Sequence, residues 1–375
     1  MNLIEFTQKL LRIQSITPRD MGCFDLIEPE LKELGFSTKR INYLNVENLY
    51  AEIGSGENFC FLGHTDVVPT GPVESWSCDP FAAEIKENVI TARGAADMKS
   101  SISAFLFALK DIDLSKNRKK ISILLTSNEE GDAKDGTIEK VLDELKQNNN
   151  AINYCLAGEP SSKNELGDTV RIGRRGSLSG SLTIVGKQGH VAYPNRANNP
   201  SNTIIKILKK IKEIKLDNGT KNFQASNLEI TKINIDNKAD NVIPGDAYAT
   251  FNIRFNDKHS SSKIKKKINI NLRKICKKHK CKFKIEYMIS GESFITKPNK
   301  TTYMIKNVIK KNTKVNTKLS TSGGTSDARF IRKISPCLEF GMVGASMHQI
   351  DENIKVRDLK TLTKIHKEIL ENYFS

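Results

Sequence analysis

Two adjacent carboxylates, Glu129 and Glu130, follow an apolar run at 121–125 that predicts a buried strand. Consecutive residues at a strand end point in different directions, so the two side chains suit different tasks. One carboxylate that binds a metal, beside a second that moves a proton, would make a hydrolytic site. A lone Glu-Glu-Gly sequence is also typical of a solvated surface turn, so the pair alone does not decide between these interpretations.

His64 and Asp66 lie at the end of a second predicted strand, which begins near Asn58. Residues i and i+2 of an extended chain point to the same side, so the Asp66 carboxylate can approach the imidazole ring. A carboxylate on one ring nitrogen fixes the tautomer and leaves the other nitrogen free to bind a metal. An ordinary polar strand end is the alternative for this His-x-Asp sequence.

Asp97 and Glu159 extend the same pattern. Asp97 follows the small residues 94–96, where a helix is predicted to begin, and Glu159 follows a short apolar strand at 152–157. A role as helix N-cap is the alternative for Asp97, and it does not exclude metal binding. Four predicted segments thus deliver His or acidic side chains at or just beyond strand ends. Ligands bind at that edge of open α/β sheets, so the coincidence indicates a site there.

Length and composition favour a cytoplasmic protein with two domains. A chain of 375 residues exceeds most single cores, and 38% hydrophobic with 27% charged residues is typical of a globular protein. No apolar run approaches the roughly 20 residues of a membrane helix, and the N-terminus does not resemble a signal peptide. The seven scattered cysteines lack any C-x-x-C pair, so reduced thiols are expected.

The net charge of +16 raises the question of nucleic-acid binding. The densest basic run, 263–284, alternates lysine with apolar residues, as an amphipathic helix and a following strand would. It lacks the aromatic residues of a single-strand binder and the spacing of a zinc finger. We therefore expect neither nucleic acid nor a membrane as partner, although a positive field can attract an anionic small molecule.

The order of predicted elements divides the chain. From residue 177 to 288 it reads strand, helix, strand, strand, helix, strand, which suits a small α+β (ferredoxin-like) domain inserted into an α/β domain. After residue 288 the predicted elements again have the pattern of an α/β domain. We therefore predict a discontinuous domain made of residues 1–176 and 289–375, and an inserted domain made of residues 177–288.

The motifs together resemble the dinuclear zinc amidohydrolases that include carboxypeptidase G, aminoacylase and acetylornithine deacetylase. The resemblance covers nearly the whole chain, with the motifs in the family's order. They are the segments 63–69, 94–99, 127–131, 158–160, 174–177, 189–194 and 322–327, together with His348. The resemblance implies a mixed-sheet, metallopeptidase-like catalytic domain and identifies the inserted domain with dimerisation.

The resemblance also implies two Zn²⁺ ions per subunit, with Co²⁺ able to replace one. The implied ligands are a bridging carboxylate and two residues for each ion: Asp97, His64 with Glu159, and Glu130 with His348. Asp66 would support His64. Glu129 would be the general base that activates water for attack on a linear amide.

Within this family, the chain most resembles members that hydrolyse N-succinyl-LL-2,6-diaminopimelate. The resemblance therefore implies this compound as the substrate. Its hydrolysis would give succinate and LL-2,6-diaminopimelate in lysine and diaminopimelate biosynthesis. Its three carboxylates require cations and hydrogen-bond donors. The positions that match the family's substrate contacts are Arg174, His190, Tyr193, Asn241, Arg254 and Thr325. For Arg254, pairing with a surface acid is the alternative.

His190 is implied to stabilise the oxyanion of the reaction from the partner subunit. The resemblance therefore implies a homodimer joined through the inserted domain, in which each active site is completed by the other chain.

The sequence leaves two alternative kinds of function open. Deacetylation of N-acetylornithine or hydrolysis of a dipeptide would use the same ligands. A non-enzymatic basic binding protein would lack one or more of the ligands or the base, and all are present. Gly344 departs from the pattern of close relatives, in which an asparagine stands four residues before the ligand histidine, so a substrate hydrogen bond is expected to differ.

Overall fold

The computed structural model describes residues 1–114, 119–131, 137–147 and 151–374. The chain forms two compact units. Unit 1 consists of Met1–Ile172, Ile295–Ser320 and Ser326–Ser375, and unit 2 consists of Gly173–Phe294 with Thr321–Thr325. Unit 1 is therefore discontinuous in sequence.

Helices and strands are both distributed along the described ranges. The α-helices are α1 (Leu3–Arg12), α2 (Cys23–Glu33), α3 (Ser100–Lys110), α4 (Thr137–Gln147), α5 (Pro200–Lys212), α6 (Ser261–Lys278), α7 (Lys300–Thr313), α8 (Ala328–Ile331) and α9 (Val356–Phe374). The strands are β1 (Ser37–Arg40), β2 (Asn48–Ile53), β3 (Asn58–His64), β4 (Glu84–Lys86), β5 (Val89–Thr91), β6 (Lys120–Thr126), β7 (Tyr154–Ala157), β8 (Thr169–Arg171), β9 (Gly173–Arg174), β10 (Gly176–Val185), β11 (Gly189–His190), β12 (Asn227–Asn234), β13 (Val242–Ile243), β14 (Asp246–Phe255), β15 (Lys282–Gly291), β16 (Phe294–Ile295), β17 (Lys318–Ser320), β18 (Cys337–Glu339) and β19 (Asn353–Lys355). No helix in the described ranges has the length and apolar character needed to span a membrane.

Unit 1 is built around a mixed sheet with the strand order β1-β2-β6-β3-β7-β18-β8-β17. Strand β3 pairs in parallel with β6 on one side and with β7 on the other, and β18 extends this parallel set. Strands β1 and β2 add antiparallel pairs at one edge. Both β3 and β7 are buried along their whole length, as parallel strands covered on both faces usually are.

The core of unit 1 joins strand β3 to helices α3 and α9. Phe61 of β3 stacks on Phe105 of α3 with ring centroids 4.1 Å apart. The ring of His366 in α9 meets these two rings edge-on, with centroids 5.9 and 5.5 Å away. These contacts hold β3, whose last residue is His64, firmly in the sheet.

His366 makes the stability of unit 1 depend on pH. The side chain is fully buried, and neither ring nitrogen has a hydrogen-bond partner among the residues that the structure describes. Burial lowers the pKa of His366 from 6.5 to about 3. Protonation therefore favours the unfolded chain as the pH falls from 6.5 toward 3, at a cost of about 1.4 kcal/mol per pH unit.

We expect His366→Leu to be at least as stable as the unmodified protein near pH 7, because it removes two unsatisfied polar atoms. Between about pH 6.5 and pH 5 the variant should lose less free energy of unfolding than the unmodified protein does. Urea unfolding of both proteins at both pH values measures this, since the titration of groups that they share cancels. If both proteins lost the same free energy of unfolding on acidification, this would contradict a buried, neutral His366 ring.

Unit 2 contains an antiparallel sheet with the strand order β12-β14-β10-β15. In chain order its main elements are β10, α5, β12, β14, α6 and β15, which is the predicted succession. Burial alternates along β14, so one face of the sheet is apolar. That face forms a separate core with the two helices, in which Leu182, Ile207, Phe251 and Ile268 are buried. The inserted segment thus has an α+β fold of its own.

Candidate metal centre

Three neighbouring parallel strands bring imidazole and carboxylate side chains to one edge of the sheet in unit 1. His64 is the last residue of β3, which lies between β6 and β7. Glu129 and Glu130 come shortly after the end of β6, and Glu159 comes shortly after the end of β7. Because the strands run in parallel, these residues meet at the same sheet edge, where open α/β sheets bind ligands.

Asp97 lies between the two histidines of the cluster. Its Oδ1 is 3.2 Å from His64 Nε2, and its Oδ2 is 3.3 Å from His348 Nε2. Ligand atoms on a tetrahedral Zn²⁺ with bonds of ~2 Å stand about 3.3 Å apart. A carboxylate with one oxygen toward each imidazole therefore has the geometry of a bridge between two cations.

Each histidine has a further carboxylate beside it. Glu159 Oε1 is 3.9 Å from His64 Nε2, and Glu130 Oε1 is 2.7 Å from His348 Nε2. These are the pairs of residues that the resemblance implies for the two ions. Donor atoms that all lie within 4.8 Å of one another also form two groups: His64, Asp97 and Glu130, and His64, Glu129 and Glu159. Because Glu129 belongs to the second group, distance alone does not separate a ligand from a base.

Asp66 connects the turn that carries the two adjacent glutamates to the end of β3. Its Oδ1 accepts the backbone N–H of Glu129 at 3.1 Å, and its Oδ2 accepts that of Glu130 at 3.0 Å. His64 Nδ1 contacts the backbone carbonyl of Asp66 at 2.9 Å, whereas the carboxylate is 3.6 Å away. The expected bond from carboxylate to imidazole is thus replaced by one to the main chain, because two amides occupy the carboxylate. The ring is still held with Nε2 toward Asp97.

The segment around Asp97 is an irregular turn. Ala95–Lys99 departs from helical geometry at Asp97, and α3 begins only at Ser100, without a side-chain cap. The N-cap alternative for Asp97 is therefore wrong. Gly94, with φ +82°, starts the turn, and a Cβ there would lie 2.5 Å from Val67 Cγ1. Only glycine allows this close approach to the segment that follows β3.

Both imidazoles lie among negative charges. Burial lowers the pKa of His64, but the hydrogen bond with Asp97 and the nearby charges more than offset it, so the pKa is raised well above 6.5. Hydrogen bonds with Asp97 and Glu130 raise the pKa of His348 to about 10. A crowded, largely buried set of carboxylates is stable only with compensating positive charge. Imidazole nitrogens and carboxylate oxygens at these spacings fit divalent metal ions such as Zn²⁺.

Glu129 differs from a surface glutamate in its electrostatic environment. Burial, followed by the charge of Glu159, raises the pKa of Glu129 well above its ordinary value. A carboxyl group in this environment holds a proton more readily, which suits a group that must accept and return one.

Three charged residues near the cluster had no role assigned from the sequence. Glu352 accepts the backbone N–H of Asp97 at 3.0 Å and pairs with Arg93. Asp327 is 5% exposed, and burial raises its pKa to about 6. A signal existed only for Asp327, because it ends the motif 322–327. Arg93 and Glu352 have no local sequence feature that distinguishes them from other loop charges.

In unit 2, three of the predicted substrate contacts lie on or beside the small two-stranded antiparallel sheet of β11 and β13. His190 is opposite Val242, and the Val191 N–H donates to the carbonyl of Asn241 at 3.0 Å. The ring of Tyr193 is 5.7 Å from that of His190. His190 is exposed, and its Nδ1 accepts the N–H of Ala192 at 3.0 Å, so Nε2 is the nitrogen that remains for a ligand.

The other three predicted contacts involve a cluster of guanidinium groups. Arg174 Nη1 donates to the carbonyl of Gly324 at 3.0 Å, next to Thr325. Arg254 Nη1 is buried without a hydrogen-bond partner among the described residues. Burial and the charges of Arg175 and Arg174 lower the pKa of Arg254. The charges that act on Arg254 are thus positive, in contrast to the surface acid of the alternative interpretation. A cluster of positive charges suits an anion.

Gly344 packs tightly against the chain that follows Glu159. A Cβ at this position would lie 3.1 Å from the carbonyl oxygen of Pro160 and 3.3 Å from Met347 Sδ. An asparagine at this position would require these neighbours to move.

Comparison with known proteins identifies a family that this chain matches. The sequence profile of peptidase family M20/M25/M40 matches residues 60–372. A succinyl-diaminopimelate desuccinylase of Pelagibacter ubique (strain HTCC1062) is 55% identical, and the alignment covers 100% of this chain and 99% of the relative. A succinyl-diaminopimelate desuccinylase of Caulobacter vibrioides (strain NA1000 / CB15N) is 44% identical, with 99% and 96% covered.

Solved structures show the same fold. An M20 family metallo-carboxypeptidase from Sulfolobus solfataricus superposes with a TM-score of 0.81 at 19% identity, covering 100% of this chain and 99% of that one. A dinuclear metal-binding peptidase of the M20 family from Bacillus subtilis has a TM-score of 0.73 at 12% identity, with 99% and 97% covered. These similarities confirm the predicted α/β fold with a mixed sheet. The resemblance seen in the motifs is also confirmed: the chain belongs to peptidase family M20/M25/M40.

Proposed function

We propose that the protein is a metal-dependent hydrolase that cleaves the amide of N-succinyl-LL-2,6-diaminopimelate into succinate and LL-2,6-diaminopimelate. The observation that carries the proposal is the 55% identity, over the full chain, to a relative named succinyl-diaminopimelate desuccinylase. The reaction belongs to diaminopimelate and lysine biosynthesis. We place it in the cytoplasm, which remains a prediction from the sequence.

The proposed cofactor is a pair of Zn²⁺ ions, with Co²⁺ able to replace one. The proposed ligands are Asp97 as the bridge, His64 with Glu159, and Glu130 with His348. Mixed imidazole and carboxylate donors, few enough to leave positions open, are typical of catalytic zinc. Bound ions of this kind lower the pKa of water to about 7 and polarise a carbonyl.

Glu129 is the proposed general base. Its carboxylate takes a proton from the attacking water and returns that proton to the amide nitrogen, so that the amine can leave. The backbone N–H of Glu129 donates a hydrogen bond of 3.1 Å to Asp66 Oδ1. This bond fixes the turn that carries Glu129. Asp66 therefore positions the base as well as the His64 ring.

Recognition of the substrate is proposed to depend on its carboxylates. Arg174 and Arg254 can each donate two parallel hydrogen bonds to a carboxylate. The buried, unpartnered Nη1 of Arg254 supports this role, because an anion would satisfy it and would offset the mutual repulsion of the guanidinium groups. Tyr193, Asn241 and Thr325 are the proposed neutral contacts.

We also propose a homodimer in which unit 2 is the dimerisation domain and His190 acts in the partner's active site. The exposed imidazole, oriented by its own turn through Nδ1, supports a role as donor to a group outside its own chain. Such a donor would stabilise the oxyanion that forms when water attacks the amide.

The assay for the proposed function is succinate release from N-succinyl-LL-2,6-diaminopimelate in the presence of Zn²⁺. We expect efficient turnover that is lost on treatment with a chelator and restored by the metal, because the proposed water activation depends on it. N-acetylornithine and a dipeptide serve as competing substrates. Efficient cleavage of either one without succinate release would assign the protein to another activity of the family. Salt-dependent binding of nucleic acid without bound metal would favour the non-enzymatic alternative.

A further inference from the structure

A buried ion pair outside the proposed ligand set connects the segments that carry His64, Asp97 and His348. Arg93 Nη1 lies 2.7 Å from Glu352 Oε2, and the side chains are 2% and 0% exposed. Neither residue is a proposed ligand, base or substrate contact. We propose that Glu352, held by Arg93, is a positioning residue of the metal centre: it fixes the backbone of Asp97 and thereby the direction of the bridging carboxylate.

Glu352 satisfies backbone groups that the irregular turn Ala95–Lys99 leaves without an acceptor. Its Oε1 accepts the N–H of Ala96 at 2.8 Å and that of Asp97 at 3.0 Å. Backbone N–H groups before the first full helical turn have no intrahelical acceptor, and leaving them unpaired in a buried segment is costly. An ionised carboxylate makes short, strong bonds to such groups. Asp97 is thus held through its main chain, and both of its carboxylate oxygens face the histidines.

Arg93 extends this connection to the other two segments. Its guanidinium also reaches three main-chain carbonyls, those of Gln349 at 3.1 Å and of Pro69 and Thr70 at 3.4 Å each. Gln349 directly follows His348, and Pro69 belongs to the segment that follows His64. One buried group therefore sets the relative placement of the chain around all three side chains.

Positioning and overall stability can be separated by comparing single and double substitutions. Removing one partner of a buried ion pair leaves an uncompensated charge, whereas replacing both with apolar residues is often neutral for folding. The two backbone N–H groups next to Asp97 would still lose their acceptor in the double variant. Residues that orient metal ligands typically change metal affinity or activity about 10–100-fold when substituted.

The test measures metal binding by the full-length protein without substrate, since the inference rests on the proposed metal centre. Glu352→Gln and the double variant Arg93→Met/Glu352→Met are titrated with Zn²⁺ against a competing chelator, and their Co²⁺ spectra and melting temperatures are recorded. We expect Glu352→Gln to lower metal affinity about 10–100-fold and to change the Co²⁺ spectrum. The double variant should have a higher melting temperature than Glu352→Gln, but its metal affinity should stay low. If Glu352→Gln does not fold, the double variant alone decides the question.

Asp217→Asn in unit 2 is the matched control. Asp217 is also a carboxylate that accepts backbone N–H groups, from Gly219 at 2.6 Å and from Ser226 at 3.3 Å, and it faces His259 at 3.2 Å. This change should lower the melting temperature and leave metal affinity unchanged.

The positioning role would be overturned if the metal affinity of the double variant were within about twofold of that of the unmodified protein. A residue that orients ligands should change the affinity by more than this. Metal affinity that recovers together with the melting temperature would also overturn this role. Failure of the unmodified protein to release succinate while it binds two ions would contradict the proposed function only, so the two failures are distinguishable.

Discussion

Glu129→Gln is expected to bind two metal ions per subunit and to lose about 10²–10⁴-fold in kcat. Glutamine has nearly the shape of glutamate, so the turn held by Asp66 should persist. Its amide cannot take a proton from water or return one to the leaving nitrogen. Metal analysis and steady-state succinate release measure the two parts of this expectation.

Glu130→Gln is the matched control, because it changes the adjacent carboxylate in the same turn. Glu130 lies 2.7 Å from His348 Nε2, so this variant should lose metal together with activity. The comparison is needed because Glu129 also groups with His64 and Glu159 by distance. Loss of metal in Glu129→Gln alone would show that the two glutamates have exchanged roles.

His190→Ala should lower kcat about 10²–10³-fold with little change in metal content, because it removes a donor to the oxyanion. His190 is exposed on the two-stranded sheet of β11 and β13 and contacts its own turn through Nδ1. Its removal should therefore leave the melting temperature close to that of the unmodified protein. Steady-state kinetics and thermal unfolding test both statements.

Mixing Glu129→Gln subunits with His190→Ala subunits tests whether the imidazole acts in the partner's site. In a mixed dimer one site carries both defects and the other carries neither. Random reassociation makes half of the dimers mixed, so activity should return to about one quarter of that of the unmodified protein. Each variant mixed with itself is the control. A mixture as inactive as its components would contradict action across the dimer.

Local sequence patterns were sufficient to predict most of the elements that carry the site. An apolar run that ends in a polar residue predicted the strands before His64, Glu130 and Glu159, since parallel strands buried on both faces are apolar throughout. In unit 2, alternating apolar residues predicted the strands, and helical spacing predicted the helices between them. These local patterns do not predict which strands are neighbours, because strand order depends on contacts between distant parts of the chain.

The details that the sequence did not supply are set by such distant contacts. The carboxylate of Asp66 was expected on the His64 ring, but two amides from the turn after β6 compete for it. The helix predicted at Asp97 begins later, because the preceding residues form an irregular turn. Glu352 stabilises that turn from a position 255 residues away in sequence, which no local pattern reveals.

Because β18 lies between β7 and β8, the large sheet stays incomplete until residues 337–339 have left the ribosome. By then the stretch Gly173–Phe294, which has a core of its own, has already been synthesised. Domains with their own core generally fold as units during translation. The insert can therefore fold before its host. A nascent chain carries His64 and Glu159 long before His348 exists.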